Sequence, residues 1–190
     1  MRNALTAAAF ACLAALAVAP GGAQRSTALD DAQWLENCHR NWSDGEDRGR
    51  ACEIRDVLFH ANGRALEIDG RENGGIRVAG WDGDSVRVTA RIQANARDDA
   101  AAQALLHRVK VNADGRHISA DVPRDRERHE NLSVSYVVFV PRRFDLHLEA
   151  LNGAIGVTGV SGTLDLRTTN GSVALVDVGA TYAPTPRTAP

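Results

Sequence analysis

The side chains in this chain that could do chemistry are few, and their spacing says more than their number. Beyond the first 23 residues the cysteines are Cys38 and Cys52, with His39 beside the first. Two such thiols can join as a disulfide, or they can offer soft ligands to a metal together with His39. The spacing fits no familiar zinc pattern. An even cysteine count favours the disulfide in an exported chain. The loop it closes, His39 to Ala51, is polar throughout its middle and cannot order itself by burial. Closing a loop of that size stabilises by about 3 kcal/mol in the chain-entropy treatment.

The acids are less informative. Asp82 and Asp84 flank Gly83, and Asp165 stands far along the chain. A carboxylate pair suits calcium or glycoside chemistry, but Asp next to Gly is first of all a turn. The six histidines, His39, His60, His107, His117, His129 and His147, are scattered, with no ligand spacing among them. Gly159-Val160-Ser161-Gly162 lacks the nucleophile-elbow pattern, and there is no His-Glu-x-x-His, phosphate loop or dinucleotide fingerprint. The chain therefore presents no catalytic set, cofactor motif or metal site. Trp81 is the aromatic candidate for a surface contact; it also reads as a plain corner residue.

The elements that would position these residues begin with an export signal. Met1-Arg2-Asn3 precedes an apolar run from Ala4 to Ala19, followed by small residues to Ala23. A short apolar run with one positive charge before it and small residues after it is a secretory signal, cleaved here after Ala23. Ala17-Val18-Ala19 offers a second cleavage site, which Pro20 hinders. No later stretch is apolar enough to span a bilayer. Loss of Arg2 leaves 21 basic against 24 acidic residues. That balance is too near neutral for non-specific nucleic-acid binding.

Residues 24–51 read as a leader and the Cys loop, with a helical turn or two from Asp30 to Cys38. Residues 52–180 read as a single, mainly β domain. Strands are expected at Cys52–Leu58, Ala65–Asp69, Ile76–Val78 and Ser85–Gln93, where Val86, Val88, Ala90 and Ile92 share one face. One accessory helix is expected near residues 98–109, opened by Asp98-Asp99. A hairpin turns at Asp114-Gly115, Pro123 to Asn131 is a charged loop, and Leu132 to Val140 is a central strand. Residues 181–190, with three prolines, read as a disordered tail that cannot extend a ladder.

From about residue 145 the chain repeats. Asn152-Gly153-Ala154-Ile155-Gly156-Val157 recurs 18 residues later as Asn170-Gly171-Ser172-Val173-Ala174-Leu175. Asn73-Gly74-Gly75-Ile76-Arg77-Val78 matches it 79 residues upstream. Short apolar rows at a fixed period are the mark of a stacked β array, a β-solenoid or β-helix. Ile76, Val78, Ile155, Val157, Val160, Leu164, Leu166, Val173 and Leu175 are its expected core. The Asn-Gly pairs at 73, 152 and 170 are its corners, where glycine would supply a positive φ. An ordinary β-meander with coincident Asn-Gly turns is the other reading.

The run Asn-Gly-x-Ile-x-Val-x-Gly-Val-x-Gly-x-Leu-x-Leu-x-Thr-x-Asn-Gly resembles the bacterial putative-adhesin family of exported β-solenoid domains. The Cys-Glu-Ile-Arg strand at residue 52, the helix near Asp99 and the Phe139-Val140-Pro141 strand end extend the resemblance over most of residues 50–178. It implies an envelope or surface location and carries over no catalytic residues. The expected function is a non-enzymatic scaffold, periplasmic or on the cell surface, offering a β surface to an envelope protein or a glycan. A polysaccharide-acting β-helix enzyme, using Asp82, Asp84 and Asp165 in one groove, stands as the alternative. So does a periplasmic accessory module of a sensor or secretion system. An open last edge would also invite edge-mediated self-association.

Overall fold

The computed structural model describes residues 22–40 and 49–180. Most of the expected signal, the stretch 41–48 of the Cys loop, and the tail 181–190 lie outside the described residues. The chain is mainly β, with mixed sheets and two helices.

The alternating sequence of β4 (Ser85–Ala96) sets the inner face of the larger sheet. Val86, Val88, Ala90 and Ile92 are fully buried there. β1 (Gly49–His60) pairs antiparallel with β4 over its whole length, and β4 pairs antiparallel with β7 (Asn131–Pro141). Beyond β7 the sheet changes character. β3 (Ile76–Trp81), β9 (Ile155–Thr158) and β12 (Val173–Val176) add in parallel, giving the order β1-β4-β7-β3-β9-β12. β7 is thus central, as its doubly apolar end suggested.

The second sheet has the order β11-β8-β2-β6-β5, built from β2 (Leu66–Asp69), β5 (Lys110–Ala113), β6 (His117–Asp121), β8 (Leu146–Ala150) and β11 (Leu164–Thr168). β5 and β6 are the hairpin around Asp114-Gly115. A third, two-stranded ladder joins β10 (Ser161–Gly162) to β13 (Gly179–Ala180). One apolar core lies between the two larger sheets, and Ala102, Leu105 and Leu106 of α2 (Asp99–His107) join it. Asp98 caps α2 by accepting from the Ala101 amide at 2.7 Å.

The pairing registers join the residues that the sequence comparison set opposite one another. Ile76 lies beside Ile155, and Ile155 beside Val173; Val78, Val157 and Leu175 follow in the same way. In the second sheet Leu66, Leu146 and Leu164 form a row, and so do Ile68, Leu148 and Leu166.

Four expectations need correction. The first concerns the corner glycines. Gly74, Gly153 and Gly171 are absent from the positive-φ glycines, which are Gly63, Gly115, Gly159 and Gly162. The corners need glycine for space: a Cβ on Gly153 would sit 2.1 Å from the Gly74 carbonyl oxygen, and one on Gly171 2.1 Å from that of Gly153. The second concerns the core. Ile76, Val78, Ile155, Val157 and Val160 are buried and Leu164 and Leu166 half-buried, but Val173 and Leu175 are 44% and 47% exposed. β12 is the last strand of its sheet, so no further strand of that sheet covers them among the described residues. Third, a second helix exists beside the one accessory helix expected: α1 runs Gly22–Arg40, longer than the turn or two read from Asp30 to Cys38. Fourth, β1 begins at Gly49 rather than Cys52.

The close approach at the corners gives a paired test. Gly153→Ala should destabilise by about 1–3 kcal/mol, because a backbone atom blocks the new methyl. Gly156→Ala, where a Cβ meets nothing within 4 Å, should stay within about 0.5 kcal/mol of the parent. Urea unfolding of the two variants checks both.

Candidate functional site

Cys38 and Cys52 form a disulfide. Both sulfurs are thereby committed, which removes the metal reading with His39. The bond fastens α1 to the outer face of the larger sheet. Asp31 of α1 meets the Arg91 guanidinium at 2.6 Å with both side chains mostly buried, and the Arg91 guanidinium carbon lies 5.9 Å from the centre of the Trp34 ring. Arg50 donates to the Cys38 carbonyl at 3.0 Å.

A second fixed point lies under α2. Arg55 donates to the carbonyl of Val109, just past the end of α2, and adds a longer bond to that of Leu106, which already accepts from the Val109 amide. Its remaining N–H groups grip Glu53 in a two-point contact at 2.8 and 2.9 Å. The hydrogen bond from Arg55 holds the Glu53 carboxyl below its ordinary range and raises the Arg55 guanidinium.

A concavity lies where several connections meet at one end of the sheets. It encloses about 600 Å³ between the β2–β3 turn, the loop after β6, and the ends of β8 and β11. Asp69 shapes its wall: the carboxylate accepts from the Arg71 amide at 2.8 Å and from the Arg71 guanidinium at 3.1 Å. These contacts hold Arg71 at a φ of 52°, a left-handed conformation uncommon for a long side chain. The Leu151 amide donates to the Arg71 carbonyl, locking the neighbouring turn to this one. Arg126 pairs with Glu72 at 3.0 Å. Arg124 and Glu149 also line the cleft, and the apolar side chain of Leu151 there is 44% exposed.

Beneath the cleft sits Tyr136. The residue is 1% exposed, and its hydroxyl has no hydrogen-bond partner among the described residues. It lines a small void together with Arg71, Glu72 and Arg126, residues that also line the cleft. Burial raises its phenol well above the ordinary range, so the group is a neutral donor.

The residues singled out in the sequence lie elsewhere. Trp81 is half-buried; its Nε1 donates to the Ser85 carbonyl at 2.9 Å, and its ring meets Phe139 edge-on at 6.5 Å. The Arg87 guanidinium carbon is 5.8 Å from the ring centre. Asp82 is held by Arg142 at 2.6 and 3.1 Å, which lowers its pKa. Asp165 lies on the other sheet, beside His147 at 3.0 Å and Arg167 at 3.3 Å. The structure thus sets Asp82 in the β3–β4 turn and Asp165 on β11 of the smaller sheet, with different partners. It also aligns a row invisible in the sequence: His117, Glu67, His147 and Asp165 stand side by side across β6, β2, β8 and β11. Among the described residues no three His, Cys, Asp or Glu side chains converge as for a metal ion.

Sequence reasoning missed the cleft because its members come from distant segments. Arg126 lay in a run read as a solvated loop, and its partner Glu72 is 54 residues away.

No family model and no curated protein matches the chain. Among solved structures it is similar to a putative cell adhesion protein from Clostridium sporogenes, with a TM-score of 0.45 and 9% identity over 66% of this chain and 61% of that one. It is also similar to a putative adhesin from Parabacteroides merdae, with a TM-score of 0.40 and 9% identity over 70% of this chain and 57% of that one. A putative adhesin from Parabacteroides distasonis gives 0.38 and 12% over 65% and 56%. The chain spans less than two thirds of the length of each. Among the described residues no helix is long and apolar enough to cross a membrane.

Two outcomes follow from the fixed points. Replacing Cys38 and Cys52 with Ser should lower stability by about 2–5 kcal/mol, and hydrogen exchange should rise first along α1 and the outer face of β1. Arg55→Met should cost about 1–3 kcal/mol by removing the side-chain donor to the Val109 carbonyl and to the Glu53 carboxylate. Glu53 has a lowered folded pKa, so its contribution is present above the ordinary glutamate value and lost as pH falls through the lowered one. Stability of Arg55→Met between pH 5 and pH 3 should therefore fall less steeply than that of the parent, as urea midpoints would show.

Proposed function

We propose that this chain is an exported, non-enzymatic, adhesin-like β scaffold of the envelope or cell surface, and that its turn-end cleft receives a glycan or a loop of a protein partner. The N-terminal signal reading and the disulfide support export. The parallel units β8–β9 and β11–β12, in register at 18 residues, support reading the C-terminal half as successive coils of a short solenoid, with β2–β3 as an earlier coil in the same stack.

The cleft is the observation that carries the binding reading. It is polar but not of one sign, since Arg71 and Arg126 each hold an acid. A half-exposed Leu151 lies with them. Fixed donors and acceptors around an apolar floor suit a polyhydroxylated ligand. The polysaccharide-cleaving alternative asks for two free carboxylates facing one bond. Asp82 and Asp165 are not brought to one groove, and Asp69 of the cleft is already held by Arg71.

A microarray of bacterial envelope saccharides, probed with the parent and with Arg124→Glu and Leu151→Asp, tests this reading. Both positions lie at the surface, so the variants should melt with the parent and bind a recognised glycan at least about tenfold more weakly. Binding equal to that of the parent would place the contact outside the cleft.

A further inference from the structure

We infer that two copies of this chain join end to end through β11 and β12, an inference that rests on reading these strands as the last described coil of a stack. β12 is the edge of the larger sheet and β11 the edge of the smaller one. All four residues of β12 are exposed, with Val176 at 52%. One coil earlier, Ile155 and Val157 are 1% and 0% exposed, because β12 lies against β9. The difference between a sealed row and an open one is a single coil.

Soluble proteins blunt such an edge with proline, a bulge or an inward charge. The row Leu164, Leu166, Val173 and Leu175 carries none of these, and the charges of β11, Asp165 and Arg167, alternate with the row and face the other way. The glycine corner continues the pattern: Asn170 donates to Asn152 at 2.8 Å, as one corner stacks upon another.

The shape of the opening selects its occupant. Among the described residues two strands joined by one corner, the exposed β12 and the half-buried β11, form the edges on opposite sides of one core, with β13 lying on β10. A lone extended peptide can satisfy one edge and leaves the other bare. The object that fits is a coil with the same apolar row, and a second copy of this chain supplies one. A two-fold axis normal to the sheets sets β11 antiparallel to the partner's β11 and merges the two rows into one core. Centred on Leu166, that pairing lays Asp165 across from Arg167 of the partner subunit and Arg167 across from the partner's Asp165, so charges on the outer face match. Antiparallel pairs at such a centre have Cα atoms about 4.5–5.5 Å apart, within disulfide reach.

The experiment is sedimentation equilibrium of the purified chain, native disulfide intact, at tens of micromolar, beside Leu175→Lys and Leu166→Cys. The parent should have the mass of two chains. Leu175→Lys, at a side chain already half in water, should keep its melting profile at low concentration and have the mass of one. Leu166→Cys should cross-link to a dimer on mild oxidation. The single charge reversal Asp165→Arg should weaken the dimer, and adding Arg167→Asp should restore it. A parent that stays monomeric, a Leu175→Lys protein that still dimerises, or a mass that climbs past two chains would each overturn the proposal. Glycan binding by Leu175→Lys should match the parent, so a failed dimer and a failed cleft leave different records.

Discussion

Where one turn of backbone passes over another at contact distance, a side chain has no volume to occupy. Gly74, Gly153 and Gly171 meet that condition in succession, each with a carbonyl oxygen roughly where its Cβ would be. The constraint reaches well beyond the corners. Ile76 donates to the Ala154 carbonyl and Ile155 to the Ser172 carbonyl, both at 2.9 Å, so the ladder enters each strand directly from the corner. If the corners stood further apart these bonds would lengthen, and the rows Ile76–Ile155 and Leu66–Leu146 would lose contact. Burial of aliphatic rows supplies the driving force here, at about 25 cal/mol per Å², and the glycines permit the spacing at which that burial occurs.

The two ends of the larger sheet are finished differently. At the β1 end, α1 is fastened by the disulfide and by the Asp31–Arg91 pair, while α2 packs on the core and is capped by Arg55. Charged groups there are paired and partly desolvated, so they hold geometry more firmly than exposed pairs, which contribute about 0–1 kcal/mol. At the β12 end the same aliphatic pattern simply reaches solvent. A fold stabilised by stacking like on like has no intrinsic stop, and its last described unit shows the inner surface of every earlier one.

How much of this the sequence disclosed depends on distance along the chain. The alternation of Val86, Val88, Ala90 and Ile92, the hairpin at Asp114-Gly115 and the helix opened by Asp98 are local, and each was legible residue by residue. The matched runs at 73, 152 and 170 gave the strand neighbours, because identical units pair in register. The physical role of the corner glycines was misread, since a sequence shows that a glycine is present and not which atom approaches it. The exposure of Val173 and Leu175 was equally hidden: their pattern equals that of Ile155 and Val157, and position in the sheet alone separates them. The cleft was illegible for a related reason. Asp69 with Glu149 and Arg126 with Glu72 become neighbours through parallel pairing and loop packing, which leave no spacing rule in the chain.

On the proposed reading the cleft suits recognition. Its charged groups hold one another: Asp69 grips both the amide and the guanidinium of Arg71, and Glu72 holds Arg126. A carboxylate so held has its oxygens already engaged by a neighbouring arginine. The same restraint is an asset in binding, where ordering a flexible arginine costs about 0.5–1.5 kcal/mol at the moment of contact. Here the turn has already ordered Arg71, at the expense of a left-handed backbone that only the surrounding contacts sustain. On that reading the strain sits where a partner would touch, at the connections between short strands.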